Sequence, residues 1–67
     1  MFGRPAHVSI GDRFTKVGQP SRVFIVMALD DRPGRPPHAF VSAAPNGGDR
    51  RLIAVSALTD PNLFRRL

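Results

Sequence analysis

Arg22-Val23-Phe24-Ile25-Val26-Met27-Ala28-Leu29 is the stretch on which the fold turns. It is dense in β-branched and aromatic residues, has no Gly or Pro, and has the length of a strand rather than of a buried helix. Alternation puts Val23, Ile25, Met27 and Leu29 on one face and Phe24, Val26 and Ala28 on the other, so both faces are apolar. Such a strand must be covered twice. We read it as the central strand of a small sheet, with one face filling the interior and the other left for the C-terminal segment, the N-terminal arm or another molecule.

Upstream, Ile10-Gly11-Asp12-Arg13-Phe14 reads as a Gly-Asp turn leading into a short strand that ends near Lys16, and Val17 to Ser21 reads as a loop holding Gly18 and Pro20. Met1 to Ser9 shows no period, and residues 1–7 are expected to form a flexible arm ahead of a single domain spanning 8–67. Downstream, Pro33-Gly34 suits the central positions of a type II turn. Pro36-Pro37 cannot donate to a ladder, so the next strand begins at His38 and runs to about Ala43. Pro45-Asn46-Gly47-Gly48-Asp49 is a hairpin signal, and the returning strand runs from Arg50 or Arg51 to Ser56. Asp60-Pro61 resembles an N-cap followed by Pro at the first helical position, which predicts one or two helical turns through Leu67. Whether Phe40 or Val41, and Leu52 or Ile53, face the interior is left open by the pattern.

The hydrophobic-Gly-Asp-x-hydrophobic opening at Ile10–Phe14, the strong second strand, the hairpin and the closing Val55-Ser56-Ala57-Leu58 together resemble the SH3-like small barrels, Tudor and KOW types included, over about residues 8 to 59. The expected fold is mainly β: a small SH3-like barrel of four to five antiparallel strands with a short C-terminal helix or 3-10 turn. The resemblance implies a binding module for RNA, DNA, peptides or methylated side chains, and basic loops on nucleic acid in the ribosomal and transcription-associated members. Two of these functions sit badly with the residues present. An aromatic cage for methylated cations and a groove for proline-rich peptides both need exposed Trp or Tyr, and the chain has neither.

At 67 residues the chain holds one core at most, and a domain of that size buries only about 60% of its unfolded surface. A partner or a second copy would widen a thin margin of stability. There is no Cys, which excludes disulfide frameworks, thiolate zinc sites and thiol nucleophiles and favours a reducing compartment. The longest apolar run, Val23–Leu29, falls far short of the roughly 20 residues that span a bilayer, and a cytoplasmic location without membrane contact is expected. His7 and His38 are too few for a metal site, and no cofactor or small-molecule substrate is expected. There is no Glu, no nucleophile elbow and no phosphate-cradling loop, so the chain is read as non-enzymatic.

Ten basic residues stand against five acidic ones, a formal charge of +5 that attracts polyanions before any specific contact forms. GC-rich coding of a bacterial type would produce the same abundance of Arg over Lys. The candidate nucleic-acid contacts are Arg13, Arg22, Arg32, Arg35, Arg50 and Arg51, whose guanidinium forks match phosphate oxygens. The rival reading is an assembly module, homo-oligomeric or accessory, with Phe24, Val26 and Phe64 as its protein interface. Against that, Leu63, Phe64 and Leu67 form an apolar stripe at helical spacing that reads better as a plug on the sheet than as a binding surface.

Overall fold

The structure, a computed structural model, describes residues 7–44 and 48–67. Five strands, β1 (Arg13–Lys16), β2 (Gln19–Asp30), β3 (His38–Ser42), β4 (Arg50–Ala54) and β5 (Phe64–Arg66), form one antiparallel sheet in the order β4-β3-β2-β1-β5. One short helix, α1 (Val55–Leu58), follows β4 and packs against both edge strands, β4 and β5. The chain is mainly β, with the strand of highest apolar density at the centre of the sheet. The expected arm at residues 1–7 lies outside the described residues except for His7, whose carbonyl accepts a hydrogen bond from Arg66. The hairpin tip 45–47 also lies outside them, while the β3–β4 pairing it joins is present.

The core consists of Val8, Phe14, Phe24, Val26, Ala39, Val41, Leu58 and Phe64, with Ala43, Ile53 and Val55 packed against it. β2 turns Phe24 and Val26 inward. Its alternation does not hold along the whole strand: Val26 pairs with Val41 but Ala28 pairs with Phe40, so Met27 is looped out and the faces exchange beyond it. Leu29 therefore falls in the same row as Ala39 and Ile53. The register settles the open choices. Val41 is fully buried and Phe40 half-buried, and Ile53 packs on the core while Leu52 is exposed.

Three boundaries differ from the sequence reading. β2 begins at Gln19 rather than after Ser21, because Val17-Gly18 closes a two-residue turn with Gly18 at φ +92°. Pro20, Ser21 and Arg22 then bulge between the pairs Lys16↔Gln19 and Thr15↔Val23, where Pro has no ladder bond to lose. The returning strand stops at Ala54 and α1 takes Val55 and Ser56. The expected C-terminal helix is a turn and a strand: Asp60 accepts the Asn62 N–H on its carboxylate and the Leu63 and Phe64 N–H groups on its carbonyl. From there the chain joins the open edge of β1, with Val17 N–H donating to Leu63 and Leu67 N–H to Arg13. A one- or two-turn helix is marginal in water, whereas the edge of β1 offers a ladder for the same backbone groups.

Candidate functional site

The arginines divide by the face of the sheet they occupy. β3 and β4 pair Val41 with Arg51 and Ser42 with Arg50, and β1 and β5 pair Phe14 with Arg66 and Thr15 with Arg65. Since Val41 and Phe14 point into the core, Arg51 and Arg66 lie on the core side of the sheet, and Arg50 and Arg65 lie on the far side. Each Arg-Arg doublet thus sends one guanidinium to each face.

The core-side arginines are held. Arg66 reaches the Asp12 carboxylate at 2.7 Å and lies over the Phe14 ring at 4.9 Å from its centroid. Asp12 also accepts the Ser9 N–H at 2.9 Å, while the Gly11 N–H and the Asp12 carbonyl bond β2 at Val26. The Ser9 amide, and after it the Arg66 guanidinium, hold the Asp12 carboxyl below its ordinary value. Arg51 shares the Asp49 carboxylate with Arg22, at 3.8 and 2.9 Å, and Arg22 lies over the Phe24 ring at 5.6 Å. Asp49 sits at φ +54°, a conformation Asp tolerates better than most side chains. In the β2–β3 connection Arg32 clasps Asp30 with two bonds, at 3.0 and 3.1 Å, and this fork holds the Asp30 carboxyl below its ordinary value.

The remaining cations are not so held. Among the described residues Arg13, Lys16, Arg35, Arg50 and Arg65 form no ion pair. Arg13, Ile25, Ser42 and Arg50 make one continuous row across β1 to β4, on the side away from the core, with an arginine at each end. Three strand spacings separate the two arginines, about 14 Å along the sheet. Arg65 continues the next row, beside Thr15 and Val23. Of the six arginines singled out from sequence, Arg13 and Arg50 are thus brought onto one face, and Arg35 stands unpaired in a loop. Arg22, Arg32 and Arg51 are committed to carboxylates.

The candidate protein interface is corrected outright. Phe24, Val26 and Phe64 are buried in the chain's own core, and Phe24 and Phe64 meet edge to face with centroids 6.1 Å apart. The C-terminal segment covers Phe24 as a strand, so the spare face of β2 is the opposite one.

Between the β1–β2 turn and β5 lies a cleft of about 220 Å³, lined by Thr15, Lys16, Val17, Gly18, Pro20 and Arg65. Lys16 and Arg65 reach this cleft from opposite sides of the sheet, since the β1–β5 register sets Lys16 beside core-facing Phe64 and Arg65 beside Thr15. Ser42 donates to the Ala44 and Gly48 carbonyls, and His38, four residues away along β3, donates through Nδ1 to the Pro36 carbonyl at 2.8 Å. Among the described residues no three His, Cys, Asp or Glu side chains gather as a metal would require, and no helix is long and apolar enough to cross a membrane.

Fold and charge layout define a small all-β protein with an arginine-bearing outer sheet face. No protein-family model, no curated protein and no solved structure matches the chain.

Proposed function

We propose that this protein is a non-enzymatic binding module, an SH3-like small barrel that holds the phosphate backbone of nucleic acid through the unpaired arginines of its outer sheet face. The observation that carries the reading is the partition of charge. Four of the nine described cations are tied to Asp12, Asp30 and Asp49, and the other five have no carboxylate to give up before meeting a phosphate. Displacing Asp30 from Arg32 would cost the new contact much of its gain, whereas Arg13 and Arg50 start with only water to lose. The fifth strand supports the reading, since it brings the sheet to the five strands of such a barrel, with β4 and β5 as its two edges.

The aromatic residues narrow the ligand. Among the described residues Phe14, Phe24 and Phe64 are buried, and Phe40, which the register turns to the outer face, is half-buried, so that face offers one part-covered ring rather than a series of platforms for unstacked bases. Duplex or structured RNA, held by its backbone, fits better than sequence-tolerant single-strand binding. Fluorescence anisotropy with a short duplex across a salt series tests this. The expected slope of log affinity against log salt is linear, and Arg13→Ala with Arg50→Ala reduces it by about 1.8 units, roughly 0.9 for each phosphate no longer neutralised. Arg32→Ala, which removes a paired cation, leaves the slope nearly unchanged. Absence of binding at low salt, or affinity insensitive to salt, overturns the proposal.

A further inference from the structure

The geometry points to the open edge of β4 as a site where an extended acidic segment of another protein adds a strand to the sheet, its carboxylates opposite Arg50 and Arg51. The inference goes beyond the nucleic-acid reading and does not depend on it. β4 ends the sheet, and its ladder to β3 runs from His38↔Ala54 to Ser42↔Arg50 without a register shift. The Val55 N–H donates to the Pro37 carbonyl, which fixes the phase of that ladder. Ile53 and Arg51 therefore exchange bonds with β3, and the N–H and C=O groups of Arg50 and Leu52 point away from it. Among the described residues no group bonds these outward amides and carbonyls. α1 leaves the strand after Ala54 toward the core, where Leu58 is buried, and Arg50, Arg51 and Leu52 stay exposed.

The side chains select what can pair there. A row of alternating donors and acceptors is matched by a polypeptide strand, whereas a phosphodiester chain has no N–H to offer the carbonyls. Arg50 forms no ion pair among the described residues, and Arg51 and Arg22 share the single Asp49 carboxylate, so positive charge is in excess on both faces of the edge. Opposite charges across a strand pair stabilise it and like charges oppose it. A second copy of this chain fits badly, because both of its edge strands carry arginines and its five acids, Asp12, Asp30, Asp31, Asp49 and Asp60, all lie outside those edges. The arginine pair thus turns away basic and neutral strands and admits an acidic one. Beyond it, Leu52 is 48% exposed and ends the outer row Ala28–Phe40–Leu52, while Ile53 ends the row Leu29–Ala39–Ile53 on the core side. An antiparallel strand reading small, apolar, apolar, acidic, acidic sets its apolar residues opposite Ile53 and Leu52 and its acids opposite Arg51 and Arg50.

A labelled peptide containing Ala-Val-Val-Glu-Glu, titrated with the full chain at low salt and without nucleic acid, tests this by fluorescence anisotropy. Saturable binding is expected, together with slowed amide hydrogen exchange at Arg50 and Leu52 and no change at Gly34 in the β2–β3 loop. Methylating the backbone nitrogen of the second Val, which would donate to the Leu52 carbonyl, weakens binding by about tenfold. Arg50→Glu also weakens it by about tenfold, and a peptide with Lys in place of its last Glu restores it. Arg50 is exposed and outside every ion pair among the described residues, so an unchanged thermal midpoint shows that the variant stays folded. Equal binding of the methylated peptide, or of a scrambled peptide of the same composition, overturns strand addition. A dimer of the protein alone in sedimentation, with the Leu52 amide already protected, gives the edge to a second copy and overturns the acidic partner. Duplex binding without peptide binding overturns this inference and leaves the outer arginine row standing, and peptide binding without duplex binding does the reverse.

Discussion

Replacing Phe64 by Ala tests whether the C-terminal residues form a strand in the core or a helix laid over the sheet. In the structure Phe64 is 9% exposed and meets Phe24 at 6.1 Å, whereas Leu63 and Leu67 are 46% and 57% exposed. A helix would bring all three to one stripe and make their truncations comparable. A strand alternates, so Phe64 alone is inside. A buried Phe covers at least 150 Å² of apolar surface, worth about 4 kcal/mol at 25 cal/mol/Å², which agrees with the 3–5 kcal/mol typical of Phe→Ala in cores. Leu63→Ala forfeits about half the transfer energy of a buried Leu, near 1 kcal/mol, and Leu67→Ala less, being close to the end of the strand. With 67 residues the whole domain has about 3–10 kcal/mol of stability, so Phe64→Ala removes a large share of it. Urea unfolding followed by far-UV circular dichroism measures the three variants side by side. A cost at Phe64 no larger than at Leu63 would refute the strand, and with it the covering of Phe24.

Asp12 links pH to stability. Its carboxyl and that of Asp30 lie below the ordinary value in the folded chain, so the unfolded chain binds protons first as pH falls; their contribution is fully present above about pH 4 and is lost as pH drops through the folded values. Asp12→Asn should cost about 1 kcal/mol near neutral pH and flatten the acid limb of a thermal-melt series, and an unchanged acid limb would count against the Ser9–Asp12–Arg66 link. Gly18→Ala should lower stability by about 1 kcal/mol through the positive φ alone, since the added methyl meets no neighbour, and calorimetry reads it directly. The doublets give a crossed pattern. Arg51→Ala and Arg66→Ala lower the thermal midpoint with little effect on the salt slope for a duplex, and Arg50→Ala and Arg65→Ala do the reverse.

Much of the sheet was legible because short-range chemistry fixes it. The apolar run Val23–Leu29, the pair Pro36-Pro37 ahead of His38 and the glycines of the turns each act within a few residues. What was not legible depended on contacts distant in sequence. Asp60-Pro61 carries the local signature of a helix start, and the turn it makes does satisfy Asn62, Leu63 and Phe64. What diverts the chain afterward is the open edge of β1, some fifty positions earlier, which no local pattern announces. The bulge at Met27 escaped for a similar reason: it arises from fitting β2 against β3, and it moves Leu29 to the face that strict alternation denied it.

The same distinction explains why the arginines could be located in sequence but not sorted. Along the chain, Arg50-Arg51 and Arg65-Arg66 are two identical basic pairs, each flanking an edge of the sheet where charge also deters another chain from adding a strand. Strand geometry separates the members of a pair without regard to function, since neighbours on a strand point to opposite faces. Function enters with the carboxylates. The core-side members find Asp49 and Asp12 at the rim of the core, and Arg66 also spans the Phe14 ring, so these two serve the fold. The outward members meet no acid on their face, because Thr15, Val23, Ile25 and Ser42 occupy the neighbouring positions of the two rows. Net charge alone thus overstates the cations free to meet an anion. Among the described residues, subtracting the guanidiniums that already hold a carboxylate leaves Arg13, Lys16, Arg35, Arg50 and Arg65, and the proposed phosphate contact is confined to those.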